Sequence, residues 1–154
     1  MTTLLLHTAL GQIRLALRPD VAPATVAHIV KLAQGGLYDG ATFYRSDFVI
    51  QCGLHGSSKR NPHADLTVNE SKRPGALSNL RGACAVAHWD VPDCGNSEFF
   101  VVLKDSPHLD SAYGGYCVFA TVAPGDAASW ATVDAIAAAV PRGQKPLITS
   151  AEVL

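Results

Sequence analysis

The stretch FYRSDFVIQCG, residues 43–53, decides the fold and contains the least expected polar side chains of the chain. Large apolar residues dominate it, which predicts a single extended strand whose side chains alternate between two faces. The first face would carry Phe43, Arg45, Asp47, Val49 and Gln51, and the second Tyr44, Phe48 and Ile50. Because a guanidinium without partners is costly to bury, Arg45 is expected at a rim or in a cleft, although an arginine that reaches water from an edge strand would fit the same pattern.

The composition predicts one globular domain over residues 1–154. Of these residues 48% are hydrophobic and 16% are charged, which is typical of a chain that buries a sizeable core. Twelve Lys and Arg residues against thirteen Asp and Glu residues leave a net charge of −1, so neither nucleic acid nor a membrane is an expected partner. No secretion signal is visible and no interface signal is found, so we expect a cytoplasmic monomer.

Neither the histidines nor the cysteines have the spacing of a metal site. The six histidines form no ligand pair, so no metal is expected. The cysteines contain no C-x-x-C pair and are expected to be free thiols. They are Cys52, Cys84, Cys94 and Cys117.

The periodicity of apolar residues predicts about eight short strands and two helices. Helical spacing runs over residues 22–35, which Asp20 precedes, and over residues 127–140. The strands are predicted over residues 3–6, 12–17, 43–53, 66–68, 83–87, 98–103, 116–122 and 147–153. Many short strands separated by turns favour a mainly β sandwich or closed barrel, with the two amphipathic helices covering its apolar ends.

Several short motifs occur in an order that is typical of one family. Besides residues 43–53 they are PATV (23–26), GLYDG (36–40), LSNLRG (77–82), AVA (85–87), NSEFF (96–100), HLD (108–110) and VF (118–119). Together they cover nearly the whole chain, which therefore resembles the cyclophilins, the cyclophilin-type peptidyl-prolyl cis-trans isomerases. The resemblance implies an eight-stranded antiparallel closed β-barrel capped by two α-helices, and an enzyme that turns X-Pro peptide bonds in protein folding.

The resemblance also implies which residues act. Arg45 matches the family's catalytic arginine, and Gln51 and Phe48 match residues beside it. The residues matched to substrate binding are Val49, Ala87, His88, Phe100, His108, Leu109 and Tyr116. No cofactor is implied, and the expected partners are proline-containing segments of client proteins.

The sequence departs from the family pattern in three respects. Arg-Ser-Asp-Phe at residues 45–48 is two residues shorter than the usual Arg-x-x-Pro-x-Phe. The loops at residues 89–94 and 111–115 look longer than usual. His108 stands where the family has tryptophan or phenylalanine, so only weak binding of cyclosporin is expected.

An arginine suits the implied reaction on chemical grounds. Rotation of an X-Pro amide faces a barrier of about 18–20 kcal/mol because it breaks the resonance between nitrogen and carbonyl. In the twisted transition state the nitrogen lone pair becomes able to accept a hydrogen bond. Arg45 could donate that bond, with Gln51 holding either the guanidinium or the substrate carbonyl.

Two other functions fit parts of the sequence. Ser97, His88 and Asp90 could form a hydrolase triad, but no nucleophile-elbow motif surrounds the serine. A non-catalytic module that binds proline-containing peptides is the stronger rival. The resemblance implies that such modules lack the arginine, so Arg45 favours an enzyme.

Overall fold

The computed structural model describes residues 2–88 and 95–154, and its strands form a single antiparallel sheet. Its strands are β1 (Thr3–Thr8), β2 (Gly11–Leu17), β3 (Thr42–Ser46), β4 (Val49–Gly53), β5 (Ala83–Val86), β6 (Phe99–Val102), β7 (Val118–Thr121) and β8 (Ile148–Val153). They are paired in the order β3-β4-β6-β5-β7-β2-β1-β8. The two α-helices are α1 (Pro23–Gln34) and α2 (Ala127–Ala139). The predicted number of strands and helices is confirmed, although the strands predicted at residues 43–53 and 66–68 differ.

The sheet curls until its two edge strands meet. Thr42 in β3 is bridged to Leu147, just before β8. The backbone N–H of Phe43 donates to the Pro146 carbonyl at 3.0 Å, and that of Ile148 donates to the Ala41 carbonyl at 2.7 Å. Helix α1 packs against β7 and β8, whereas α2 packs against β2, β3 and β4. The predicted barrel with two covering helices is therefore confirmed, and closing it removes most of the exposed sheet edge.

Residues 43–53 form a hairpin and not the single strand that the alternation predicts. Strand β3 ends at Ser46 and β4 begins at Val49, so Arg45 lies opposite Gln51 across the pair. Asp47 closes the turn, because its backbone N–H donates to the Val49 carbonyl at 2.9 Å and its Oδ1 accepts from the Val49 N–H at 3.1 Å. An aspartate that bonds its own backbone two residues on is a common turn former.

The predicted division of this stretch into two faces is also wrong. The pairing of β3 with β4 shifts register between Phe43 and Arg45. Phe43 is fully buried in the barrel interior, whereas Tyr44 and Arg45 both line an outer cleft. Such an irregularity inserts a residue into one strand and redirects the side chains that follow it. The predicted grouping of Phe43 with Arg45, and of Tyr44 on the opposite face, therefore fails.

Side chains of β6 alternate between two separate apolar clusters. Phe99 and Val101 point into the barrel interior, and Phe100 and Val102 point outward into a smaller cluster. The outer cluster consists of Val49, Ala83, Ala85, Phe100, Val102, Leu109 and Val118. The two adjacent phenylalanines therefore serve the barrel interior and the outer cluster separately.

Helix α1 receives its N-terminal cap from a distant residue. Asp20, which the sequence places at the helix start, instead pairs with Arg18 at 2.8 Å. The Glu70 carboxylate accepts from the Thr25 N–H and hydroxyl, each at 2.8 Å, and from the Ala24 N–H at 3.3 Å. This buried side chain satisfies donors that a helix start leaves without intrahelical partners.

Three smaller expectations have different outcomes. The strand predicted at residues 66–68 is reduced to one bridge between Leu66 and Gly95. Cys52, Cys84 and Cys117 are buried free thiols, as expected. The loop at residues 89–94, with Asp90 and Cys94, lies outside the described residues. In the part of the chain that is described, no helix has the length and apolar character needed to cross a membrane.

Candidate active site

A cleft on the outer face of the barrel collects all the functional residues that the sequence predicts. It has a volume of about 1140 Å³ and lies over the β3–β4 hairpin, β6 and the turn Pro107–Asp110. The predicted residues among its lining are Arg45, Phe48, Val49, Gln51, Ala87, His88, Phe100, His108, Leu109 and Tyr116. The structure thus brings all ten side chains together, although their separate roles stay predictions.

One part of the cleft is an apolar pocket with aromatic walls. Phe100 and Leu109, which are 4% and 8% exposed, belong to its buried cluster. The Phe48 ring lies 5.6 Å from that of His108, and the Phe100 ring lies 5.7 Å from that of Tyr116. Concave apolar surfaces of this kind hold small ring systems by excluding water.

The polar part of the cleft is centred on Arg45. Its Nε donates to Asp47 Oδ2 at 2.9 Å, and its terminal Nη1 donates to Gln51 Oε1 at 3.2 Å. Its Cζ atom lies 5.7 Å from the centre of the Phe48 ring. The Arg45 side chain is 44% exposed, so its ion pair with Asp47 adds little stability but does orient the guanidinium. Although the turn is two residues short, Phe48 lies beside Arg45 as the family pattern implies.

The turn that carries His108 and Leu109 is anchored from below by Asp110. Its carboxylate accepts from the Ser78 hydroxyl, and from the Asn79 N–H and side-chain amide at 2.8 Å each. Burial alone would raise the pKa of Asp110, but these hydrogen bonds outweigh it and hold the pKa below its ordinary value. The pocket wall is therefore fixed by a charged group outside the cleft.

The sequence interpretation missed several residues of the cleft lining. They are Tyr44, His55, Asn96, Ser97, Glu98, Ala112 and Tyr113. Tyr44 was assigned to the wrong face by strict alternation, which the register shift interrupts. Glu98 carried a visible signal, because a carboxylate directly before two buried phenylalanines needs a specific partner.

The hydrolase alternative gains no support from the geometry. The Ser97 hydroxyl donates to Glu98, and His88 Nε2 bonds to the Gly115 carbonyl at 2.8 Å. Asp90 lies outside the described residues. Within residues 2–88 and 95–154, no group of three His, Cys, Asp or Glu side chains could hold a metal ion.

Comparison with known proteins shows the family. Residues 3–153 match the model of the family described as "Cyclophilin type peptidyl-prolyl cis-trans isomerase/CLD". A peptidyl-prolyl cis-trans isomerase of Synechococcus elongatus is 37% identical over 116 residues, 73% of this chain and 77% of the relative. Peptidyl-prolyl cis-trans isomerase B of Bacillus subtilis is 38% identical over 118 residues, 75% of this chain and 78% of the relative.

Solved cyclophilin structures share the fold at lower identity. A cyclophilin from Cryptosporidium parvum, crystallised in the presence of the dipeptide Ala-Pro, superposes with a TM-score of 0.79 at 17% identity, covering 99% of this chain and 98% of that chain. The cyclophilin AquaCyp293 from Hirschia baltica gives a TM-score of 0.78 at 19% identity, covering 98% and 73% of the two chains. The chain belongs to the cyclophilins and is an enzyme of the peptidyl-prolyl cis-trans isomerase class.

Proposed function

We propose that this cyclophilin accelerates rotation about X-Pro bonds in client proteins during folding, with Arg45 as the hydrogen-bond donor to the prolyl nitrogen. The observation that carries the proposal is the position of the Arg45 guanidinium, which is held by Asp47 and Gln51 beside the apolar pocket. Its hydrogen bonds to those two residues occupy Nε–H and one N–H of Nη1. Among residues 2–88 and 95–154 no partner takes the N–H groups of Nη2, which can donate to a substrate.

The proposed acceleration comes from binding the twisted amide better than the planar one. In the planar ground state the nitrogen lone pair is delocalised and accepts no hydrogen bond, so the arginine gains nothing there. In the transition state the lone pair is localised and can accept a hydrogen bond from an N–H of the arginine. An interaction made only in the transition state lowers the barrier without tightening substrate binding.

In this proposal the apolar pocket holds the proline ring while the acyl side turns. Phe48, Val49, Phe100 and Leu109 supply the apolar surface, and their exclusion of water strengthens the field of the guanidinium. The backbone at Ala87 and His88 would pair with the peptide. A pocket that holds the proline ring next to a donor would make X-Pro bonds the substrate.

The first test compares peptide isomerisation by the wild type with that by Ala87→Leu. Ala87 is half-buried, lines the cleft and packs on the outer cluster, so a larger side chain would fill the peptide site. We expect the wild type to accelerate cis-to-trans conversion of a short X-Pro peptide, and Ala87→Leu to lose both peptide affinity and acceleration. Ala135→Leu, on the exposed face of α2, is the matched control and should behave as the wild type.

The outcomes separate the two candidate functions. A folded wild type that binds the peptide without accelerating it would support the non-catalytic module and end the proposal. Unchanged peptide affinity in Ala87→Leu would instead contradict the placement of the peptide in this cleft. The cytoplasmic location and the monomeric state stay predictions from the sequence.

Cyclosporin is expected to bind this protein weakly. His108 is exposed and lies at the edge of the pocket, where an indole would offer more apolar area and an N–H donor. His108→Trp should therefore tighten the complex. Isothermal titration calorimetry measures both affinities, and a nanomolar dissociation constant for the wild type would contradict the prediction.

A further inference from the structure

A chain of hydrogen bonds leads from Arg45 across the cleft to Glu98. Arg45 Nη1 donates to Gln51 Oε1 at 3.2 Å, and Gln51 Nε2 donates to the Tyr44 hydroxyl at 2.9 Å. The Tyr44 hydroxyl in turn donates to Glu98 Oε1 at 3.1 Å. Four side chains from β3, β4 and the residue preceding β6 are thereby linked.

The direction of this chain is fixed by the carboxylate at its far end. The His55 N–H donates to the same Glu98 Oε1 at 2.9 Å. Because a carboxylate can only accept, this oxygen must also accept the proton of the Tyr44 hydroxyl. The Tyr44 oxygen is then left to accept from the Gln51 amide nitrogen.

The Gln51 amide consequently has one favourable orientation. Its NH₂ group faces Tyr44, and its carbonyl oxygen faces Arg45. The flipped amide would place donors against the guanidinium, which has donors only and no acceptor. Without Tyr44, Arg45 would be the one residue of this chain of hydrogen bonds that favours one orientation of the Gln51 amide over the other.

We infer that Tyr44 and Glu98 are positioning residues of the isomerase, which hold the Gln51 carbonyl toward Arg45 and so keep the guanidinium aimed at the prolyl nitrogen. The effect of this positioning on the reaction rate rests on the proposed function. Neither residue touches the reacting bond in this scheme. Both act through Gln51, so their removal should slow turnover more than it weakens peptide binding.

The surroundings hold the far end of the chain in place. Glu98 lies over Gly53, where a Cβ would overlap with its carboxylate, and its second oxygen accepts from the Ser97 hydroxyl. The Tyr44 ring lies 5.1 Å from the His55 ring. Burial, with the charge of Glu98 adding to it, raises the pKa of Tyr44 well above its ordinary value, so the hydroxyl keeps its proton at neutral pH.

The kinetic test removes one link at a time. Loss of one such hydrogen bond corresponds to about a 3- to 10-fold slower turnover for Tyr44→Phe at saturating peptide, with unchanged peptide affinity. Glu98→Met should slow turnover by a similar factor. Glu98→Gln keeps an acceptor oxygen for Tyr44 and His55 and should recover most of the lost turnover. In an Arg45→Ala background, Tyr44→Phe should have no further effect, because there is no guanidinium left to position.

A purely structural role predicts a different pattern. It would lower activity by the same factor in both backgrounds, or through weaker peptide affinity, and either result would overturn the inference. The inference would also be overturned if Glu98→Gln turned over the peptide no faster than Glu98→Met.

A second readout needs no activity. In ¹⁵N NMR of the peptide-free protein, the Arg45 Nε–H and the Gln51 side-chain amide should become more mobile in Tyr44→Phe than in the wild type. If the folded wild type proves inactive, the proposed function fails. The NMR comparison alone then tests whether Tyr44 positions Gln51 and Arg45. Unchanged mobility of both groups in Tyr44→Phe would overturn the inference.

Discussion

Arg45→Ala is expected to lower kcat/KM for X-Pro isomerisation by about 10²- to 10³-fold, the range measured when one preorganised transition-state donor is removed from an active site. The guanidinium is the donor that the proposal places at the prolyl nitrogen. Because the planar substrate offers it no acceptor, peptide affinity should change little. Arg45 is half-exposed and lies outside both apolar clusters, so the fold should survive the substitution.

Two further variants sharpen this test. Arg45→Lys keeps the charge, but a lysine cannot bond Asp47 and Gln51 while still presenting a rigid fork to the substrate, so it should recover little activity. Arg14→Ala removes an exposed arginine of β2 and serves as the matched control. Exchange NMR on a proline peptide measures both rate and affinity. Retention of wild-type activity by Arg45→Ala would end the proposed mechanism.

Glu70→Ala should lower the free energy of unfolding by about 1–3 kcal/mol, the cost of leaving buried donors unpaired together with the loss of a helix cap. The substitution leaves the Thr25 N–H and hydroxyl at the start of α1 without their acceptor. Thr25 is itself fully buried, so water is a poor substitute. Denaturant unfolding followed by circular dichroism measures the loss. Unchanged stability would contradict this account of the helix start.

The contribution of Glu70 should also depend on pH. Burial acts to raise the pKa of Glu70, but hydrogen bonds from Thr25, Ala24 and Arg73 outweigh it and place the folded-state pKa below the ordinary value. This stabilisation is therefore fully present above the unfolded-state pKa of about 4.3 and is lost as pH falls through the folded-state pKa.

Comparison with Glu70→Gln isolates this pH dependence. The stability difference between the wild type and Glu70→Gln should be largest above about pH 5 and shrink toward acid. Asp134→Asn, at an exposed acid of α2, is the matched control. A difference that is constant with pH would contradict a lowered pKa in the folded state.

The sequence predicted the fold correctly wherever one local pattern governed the structure. The apolar period of α1 and the alternation of β2 determine their placement directly. The hairpin at residues 43–53 escaped prediction because its turn contains neither Gly nor Pro, and apolar residues continue through it. Asp47 makes the turn by a side-chain bond that alternation does not reveal. The Glu70 cap escaped because it joins residues 45 positions apart.

The candidate site followed from the family motifs more than from local pattern. Arg45, Phe48 and Gln51 were placed in the cleft correctly because they belong to one motif. Tyr44 was not, since the register shift that brings it beside Gln51 depends on how β3 pairs with β4. Whether a polar residue next to the motif arginine lies in the cleft can be predicted only when its partner on the neighbouring strand is known.

The alternation of Phe99 and Phe100 along β6 ties the interior of the barrel to the floor of the cleft. A slip of β6 by one residue against β4 and β5 would exchange the two rings, placing Phe100 inside and Phe99 outside. A slip of β6 by one residue could therefore not spoil the cleft and leave the barrel intact. A cellular protease that removes poorly folded copies would, by the same act, remove copies with a misaligned cleft.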